Sequence, residues 1–177
     1  MNAATVSPHP DVSGRAHHAD YRAGILSGVA AGIAMVPIMM AITTFMMGMG
    51  PWPAAKMAWS LVQGADVIKP GFELLPVMGG MLVHLMLSAA FGLVFAWLAP
   101  VVSMGLMALG TAYGLGLYVT NILLVPTVFP GWAGHMFPKD ATMHLAMAFE
   151  HAFFGLVLGL GYRAWRRGGS HYRASVN

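Results

Sequence analysis

The sequence contains no cysteine and very little charge. Without cysteine, the chain cannot form a disulfide, a thiolate metal site or a cysteine nucleophile. Charged residues make up 8% of the 177 residues, whereas a soluble domain carries about 25%. So few charges cannot cover a water-exposed surface of ordinary composition. The composition therefore argues against a soluble globular enzyme, a disordered chain and a nucleic-acid-binding protein.

Catalytic signatures are also scarce. The sequence shows no phosphate-binding loop, no H-E-x-x-H zinc pattern and no serine–histidine–acid order. Glu150 and His151 are adjacent on one predicted helix, which does not place both side chains on one face. We therefore expect a binding or accessory protein, or a carrier, more than an enzyme.

Long apolar stretches are what the sequence does contain, since 58% of its residues are hydrophobic. Four of them, about 23–47, 75–99, 102–125 and 141–162, are long enough to cross a ~30 Å hydrocarbon core as helices. Pro37 interrupts the first stretch, and Pro126 ends the third. The predicted fold is an all-α bundle of four transmembrane helices over 23–166, with polar tails at 1–22 and 167–177.

The basic residues predict the orientation. All six arginines flank the first or the last apolar stretch, whereas Lys56, Lys69 and Lys139 lie in the two longer loops. Positive residues favour the cytoplasmic side, so both termini are expected inside and both longer loops outside a bacterial inner membrane. The basic tails serve as topology signals that can also contact anionic lipids, and no nucleic-acid partner is expected.

Both outer loops carry aromatic residues typical of a membrane interface. The stretch from Ala54 to Gln63 is predicted to be an amphipathic helix in the interface, anchored by Trp52 and Trp59. Trp132 gives the second loop a similar character. Neither loop is long enough for a separate soluble domain.

A weak internal repeat suggests two related helical hairpins. The segment from Ser88 to Phe95 aligns with the segment from His151 to Leu158, including a shared Phe-Gly-Leu-Val. Two hairpins of the same orientation would be related by a pseudo-twofold axis along the membrane normal. Small residues at four-residue spacing recur in every apolar stretch and favour close helix packing. We expect a homo-oligomer or a subunit of a larger, for example respiratory, membrane complex.

Four ionisable residues lie at membrane depth: His84 in the second stretch, and His144, Glu150 and His151 in the fourth. Such groups usually face the bundle interior or water, because burial in hydrocarbon is costly. His84 and His151 both lie about eight residues from the outer end, or about 12 Å deep at ~1.5 Å per residue. The two imidazoles are therefore predicted to meet across the bundle.

Several interpretations of this cluster stay open. His84 and His151 could ligate a b-type haem. A copper site could use imidazoles and methionine thioethers, with His135 and Met136 at its mouth; its candidate ligands are His84, His144, His151, Met81, Met143 and Met147. Alternatively, Glu150 and the histidines could form the proton relay of a proton-coupled small-solute carrier or channel. A purely structural hydrogen-bonded cluster is the fourth interpretation, and the 16 methionines can equally be apolar packing residues.

The last apolar stretch carries one family resemblance. Its pattern consists of a histidine, Phe-Gly, a further glycine and Tyr-Arg, at His151, Phe154, Gly155, Gly159, Tyr162 and Arg163. This pattern and the overall layout resemble small four-helix bacterial inner-membrane families of unknown function, including relatives of the YagU protein. The resemblance implies a fold and a location and names no activity.

Overall fold

The described residues are almost entirely helical. A computed structural model describes residues 19–128 and 140–174. Its α-helices are α1 (Tyr21–Ala41), α2 (Trp52–Gln63), α3 (Leu74–Leu98), α4 (Leu106–Tyr118), α5 (Val125–Val128) and α6 (Ala141–Ala174). π-Helical turns at Ile42–Met46 and Val119–Leu124 extend α1 and α4, and a 3-10 turn at Ala65–Val67 follows α2. These two stretches contain no strand, and the predicted all-α fold is confirmed.

Within the described part of the chain, four helical segments are long and apolar enough to cross a membrane: Tyr21–Met46, Leu74–Leu98, Leu106–Leu124 and Ala141–Arg166. Their outward faces carry large apolar side chains. On α3, for example, Leu75, Met78, Leu82 and Met86 are all exposed, at the spacing of one helix face. Such a face is unfavourable in water and ordinary in lipid. The protein is a multi-pass membrane protein with a four-helix bundle.

Some helix ends differ from the sequence-based bounds. Pro37 lies inside α1, and the helical backbone runs on past it. The backbone after α4 also stays helical through position 126 to Val128. Prolines are tolerated in membrane helices where local π adjustments re-satisfy freed backbone groups. Helix α6 continues to Ala174, into the predicted tail, and its sequence contains no proline to end it.

Two antiparallel hairpins form the bundle, and glycines set both crossings. Helix α1 packs on α3, where a Cβ at Gly28 would overlap the carbonyl oxygen of Ser88. Helix α4 packs on α6, where a Cβ at Gly114 would overlap the carbonyl oxygen of His151. The first hairpin comprises α1 to α3, and the second comprises α4 to α6. Only glycine permits this backbone approach.

The two crossings share one register, which supports the predicted repeat. Ser88 and His151 are aligned in sequence, and each faces the corresponding glycine of its partner helix. In the same alignment Phe91 corresponds to Phe154. Their rings contact each other edge to face, with centroids 6.5 Å apart. Corresponding residues touch in this way beside a pseudo-twofold axis.

Aromatic side chains also join the two hairpins on the side of this contact that is away from α2. The Phe95 ring lies 5.5 Å from the Tyr162 ring and 5.6 Å from the Tyr113 ring, between centroids. The Tyr113 hydroxyl donates a hydrogen bond to the carbonyl oxygen of Phe91 at 3.0 Å. Phe95 and Tyr162 are fully buried, so this end of the bundle is a closed core.

Helix α2 lies against the start of α3. The Ala55 carbonyl and the Trp59 ring sit where side chains at Gly80 and Gly79 would otherwise project. Lys56 is completely buried, and its Nζ donates to Glu73 Oε1 at 2.9 Å and to the Lys69 carbonyl oxygen at 3.1 Å. The segment predicted to be an interfacial helix is thus held on α3 by a buried cation.

Candidate functional site

A cavity of about 330 Å³ lies between the two hairpins. Its wall is built by α1 and its π turn, by α2, by α3, by α4 and its π turn, and by α6. Because α2 contributes to the wall, the cavity lies toward the α2 end of the bundle, where α1 ends and α3 begins. Its size is at the lower end of the range for small-molecule sites.

The cavity lies on the pseudo-twofold axis. Residues from corresponding positions of the two hairpins face it in pairs: Met35 and Asn121, Met39 and Val125, His84 and Met147, Leu87 and Glu150, Ser88 and His151, and Phe91 and Phe154. In transporters built from repeats, the substrate site lies at the interface between the repeats. This cavity likewise lies at the interface between the two hairpins.

The paired positions have related backbones and different chemistry. Leu87 of the first hairpin corresponds to Glu150 of the second, and Ser88 corresponds to His151. The first hairpin places its own imidazole, His84, where the second has a methionine. Among the described residues, the one carboxyl group of the cavity wall therefore comes from the second hairpin.

Both cavity histidines are fixed by backbone carbonyls. His84 Nε2 lies 3.0 Å from the carbonyl oxygen of Gly32, and His151 Nδ1 lies 2.8 Å from that of Met147. A carbonyl oxygen only accepts, so each of these nitrogens is the donor and carries the proton. In the neutral form of each ring, the other nitrogen is an acceptor. The backbone thus holds both rings in place.

The cavity hydroxyl groups are also satisfied within their own helices. Thr43 Oγ1 donates toward the carbonyl oxygens of Met39 and Met40, at 3.2 and 3.1 Å. Ser88 Oγ donates to the carbonyl oxygen of His84 at 2.8 Å. These bonds leave the hydroxyl groups with acceptor capacity and no free proton.

Glu150 is different, because its carboxyl group has no hydrogen-bond or ion-pair partner among the described residues. Only 7% of its surface is exposed, and it lines the cavity. Ionisable groups at membrane depth normally find partners or face a water-filled space, and they mark substrate and proton pathways. A buried carboxyl group without a protein partner therefore points to a partner that enters the cavity.

Both π-helical turns contribute to the cavity wall. Ile42 and Thr43 belong to the turn that extends α1, and Asn121 and Ile122 belong to the turn that extends α4. In each turn the backbone bonds five residues apart, as between the Met47 amide and the Ile42 carbonyl oxygen at 3.2 Å. Single π turns inside α-helices occur frequently at functional sites.

Tyr118 connects the third ionisable side chain of α6 to the cavity. Its hydroxyl group lies 2.9 Å from His144 Nδ1, and its ring lies edge-on to the His151 ring at 6.0 Å between centroids. Sequence reasoning did not select Tyr118. It follows Gly114 by one helical turn, so it shares the α4 face that packs on α6, and that spacing was the available signal.

The predicted site residues are only partly brought together. His84, His151, Met147 and Glu150 line the cavity. Met81 instead lines a small pocket among α1, α2 and His84, and His144 and Met143 do not line the cavity. His135, Met136 and Trp132 lie outside the described residues.

Within 19–128 and 140–174, no group of three histidine, aspartate or glutamate side chains is arranged to hold a metal ion. The bond from His84 Nε2 to Gly32 would also have to break before that nitrogen could ligate haem iron. The haem and copper interpretations stay predictions.

Comparisons of the chain with protein-family models, with curated proteins and with solved structures return no match. The resemblance of the last helix to YagU relatives stays a prediction. The case for function is therefore carried by the cavity and its carboxyl group.

Proposed function

We propose that the protein is a proton-coupled carrier of a small solute, with the cavity between the hairpins as its binding site. The observation that carries this proposal is the buried carboxyl group of Glu150, which faces the cavity without a partner in the described chain. A proton and a solute would compete for this one group. Competition at a shared carboxyl group is a simple way to couple their movements.

The two-hairpin construction supports carriage as well as binding. A site on a pseudo-twofold axis can be opened to either side when one repeat rocks against the other. The π turns of α1 and α4, both at the cavity, supply positions where the helices are not locked into regular α geometry. The closed aromatic core around Phe95 lies at the other end.

For orientation, we propose that both termini face the cytoplasm of a bacterial inner membrane. Arg22 at the start of α1 and Arg163 and Arg166 near the end of the last span are at one end of the bundle, because the Asp20 amide donates to the Tyr162 hydroxyl at 3.1 Å. At the α2 end, Lys56 is paired with Glu73. This distribution of charge supports cytoplasmic termini.

Cysteine accessibility tests the proposal, since the natural chain has no cysteine to remove. In vesicles of defined orientation, we expect Asn121→Cys in the cavity wall to react with a membrane-impermeant methanethiosulfonate reagent added to either side. Leu123→Cys is the matched control, because Leu123 lies in the same π turn and is exposed on the outer face of the bundle.

Reaction of Asn121→Cys from one side only would contradict carriage and leave a binding protein. Absence of reaction from both sides, with labelling restored after denaturation, would contradict a water-accessible site. Reaction of Leu123→Cys as fast as Asn121→Cys would show that labelling does not report on the cavity.

Copper binding is the second candidate, because methionine sulfurs and imidazoles face the same cavity. Met35, Met39 and Met147 line it together with His84 and His151, and soft thioethers favour Cu(I). Competition with a chromogenic Cu(I) chelator tests this candidate. We expect Met39→Leu and Met147→Leu to weaken Cu(I) binding if it holds, and Met86→Leu on the exposed face of α3 to leave it unchanged.

A further inference from the structure

We propose that the solute is a small alkylammonium cation, whose nitrogen binds the Glu150 carboxylate and whose alkyl chain lies against the apolar wall. This inference rests on the proposed function, because it takes the cavity as the solute site. The charge and the chemical class of the solute follow from the groups that line the cavity.

The polar groups of the cavity are mainly acceptors, and the Asn121 amide is the exception because it both donates and accepts. Glu150 offers two carboxyl oxygens with no partner in the described chain. His84 Nε2 and His151 Nδ1 both donate to backbone carbonyls, so in its neutral form each ring has one acceptor nitrogen left. A ligand that complements such a set must bring its own protons, as an ammonium group with its N–H donors does.

The charged groups of the wall favour a cationic solute. Among the described residues that line the cavity, none is lysine or arginine. The lysine of α2, Lys56, bonds Glu73 and the Lys69 carbonyl, on the α3 side of that helix. An anionic solute would meet the Glu150 carboxyl group without any cation to balance its charge. Like charges in so apolar a site are unfavourable, so the cavity selects against anions.

The rest of the wall is mainly apolar. Methionine, leucine, isoleucine and phenylalanine side chains make up most of it, including Met35, Leu87 and Ile122. The Phe91 and Phe154 rings meet edge to face at one end. Aromatic rings favour a nearby ammonium group, and the aliphatic side chains favour an apolar tail. The volume of about 330 Å³ limits that tail to a short alkyl group.

Three probes of similar size test the inference: hexylammonium, hexanol and hexanoate, which are unbranched six-carbon molecules that differ in charge. Binding to the purified full-length protein in detergent is measured by calorimetry and by the shift in Tm. We expect hexylammonium to bind at least about tenfold more tightly than hexanol, with hexanoate weakest, because removing one partner of a desolvated charge pair costs at least that factor.

Variants show which carboxyl group causes the preference for hexylammonium over hexanol. Glu150→Gln is expected to bind hexylammonium and hexanol equally, whereas Asp66→Asn, which removes an exposed carboxyl group outside the cavity wall, keeps the wild-type ratio. Asn121→Asp adds a second carboxyl group to the wall and is expected to increase the ratio. Asn121→Asp therefore gives an answer even if Glu150→Gln does not fold.

Each alternative outcome overturns the inference. Equal binding of hexanol and hexylammonium by the wild type would leave a site for a neutral solute, with the proposed carrier intact. Preference for hexanoate would overturn the assignment of charge. Binding of none of the three would overturn the alkylammonium inference, and the accessibility of Asn121→Cys would then decide separately whether the cavity is a solute site. A preference unchanged in both Glu150→Gln and Asn121→Asp would place the binding outside this cavity.

Discussion

The two hairpins have the same skeleton and different chemistry. Glycines let α1 approach α3 and α4 approach α6 in one register, with Ser88 and His151 at corresponding places. At the cavity, however, Leu87 of the first hairpin stands opposite Glu150 of the second. Glycines thus fix where the backbones cross, while the residues between them remain free to differ. A pseudo-symmetric frame can in this way hold a site whose carboxyl group comes from one hairpin.

The largest effect is expected at the crossings. Gly28→Ala and Gly114→Ala each place a Cβ against a backbone carbonyl of the facing helix, of Ser88 and His151 respectively. Overpacking of this kind costs about 1–3 kcal/mol, so Tm in detergent is expected to fall by roughly 3–10 °C in both variants.

Gly116→Ala is the control for this pair, because a Cβ at Gly116 meets nothing within 4 Å. Its Tm is expected to match the wild type. A large loss of Tm in only one of the two crossing variants would break the structural equivalence of the hairpins.

Moving the carboxyl group from Glu150 to the corresponding position of the first hairpin, Leu87, tests whether the two positions are equivalent at the cavity. Glu150→Leu is expected to lower hexylammonium affinity at least about tenfold. The double variant Leu87→Glu, Glu150→Leu is expected to recover at least about threefold of that loss, since the corresponding position faces the same cavity. Calorimetry of the single and double variants measures both steps.

Recovery is expected to be partial, because Leu87 is 37% exposed and Glu150 only 7%. A double variant that binds no better than Glu150→Leu would mean that the correspondence of the hairpins ends at the crossings. Leu93→Glu, on the exposed face of α3, serves as the control and should recover nothing.

A smaller effect is expected where the first hairpin holds α2. Glu73→Gln leaves the buried Lys56 without a countercharge, with only the Lys69 carbonyl and a neutral amide oxygen as acceptors. Because half of the Glu73 side chain is exposed, we expect a loss of about 1–2 kcal/mol in unfolding free energy, measured by chemical denaturation.

Replacing both partners of that ion pair is expected to be less harmful than replacing one. In Lys56→Met, Glu73→Gln no charge is left buried, so stability should return toward the wild type. A double variant less stable than Glu73→Gln would show that Lys56 holds α2 through more than this pair.

The smallest effect is expected at Tyr118. Tyr118→Phe removes the bond between its hydroxyl group and His144 Nδ1. We expect the unfolding free energy to fall by about 1 kcal/mol or less and the 15N chemical shift of His144 to change in NMR spectra. Tyr21→Phe, at an exposed tyrosine, should change neither. An unaltered His144 spectrum in Tyr118→Phe would exclude this contact between the hairpin helices.

Much of the fold can be predicted from the sequence, for a simple physical reason. Spanning a membrane requires about 20 apolar residues, and stretches of that length are visible by composition alone. The repeat is also visible, because Gly92 and Gly155 stand in the same Phe-Gly-Leu-Val segment. The π turns cannot be recognised in the sequence, because they depend on how each helix accommodates a proline and on packing against neighbouring helices.

The site is predictable only in part. His84, His151 and Glu150 could be selected because ionisable residues are rare at membrane depth. The hydrogen-bond partners of the two histidines could not be predicted, because they depend on which carbonyl the helix crossing brings near each ring. Lys56 shows the same limit: a lysine in a loop suggests exposure, and only the fold brings Glu73 beside it.

Reaction of Glu150 with a hydrophobic carbodiimide tests the central claim most directly. Such reagents modify membrane-embedded carboxyl groups, and mass spectrometry identifies the modified residue. We predict that Glu150 is modified in the native protein, and that hexylammonium slows this modification while hexanol at the same concentration does not. Modification of Glu150 at one rate with and without hexylammonium, or none until the protein is denatured, would contradict a cation site at this carboxyl group.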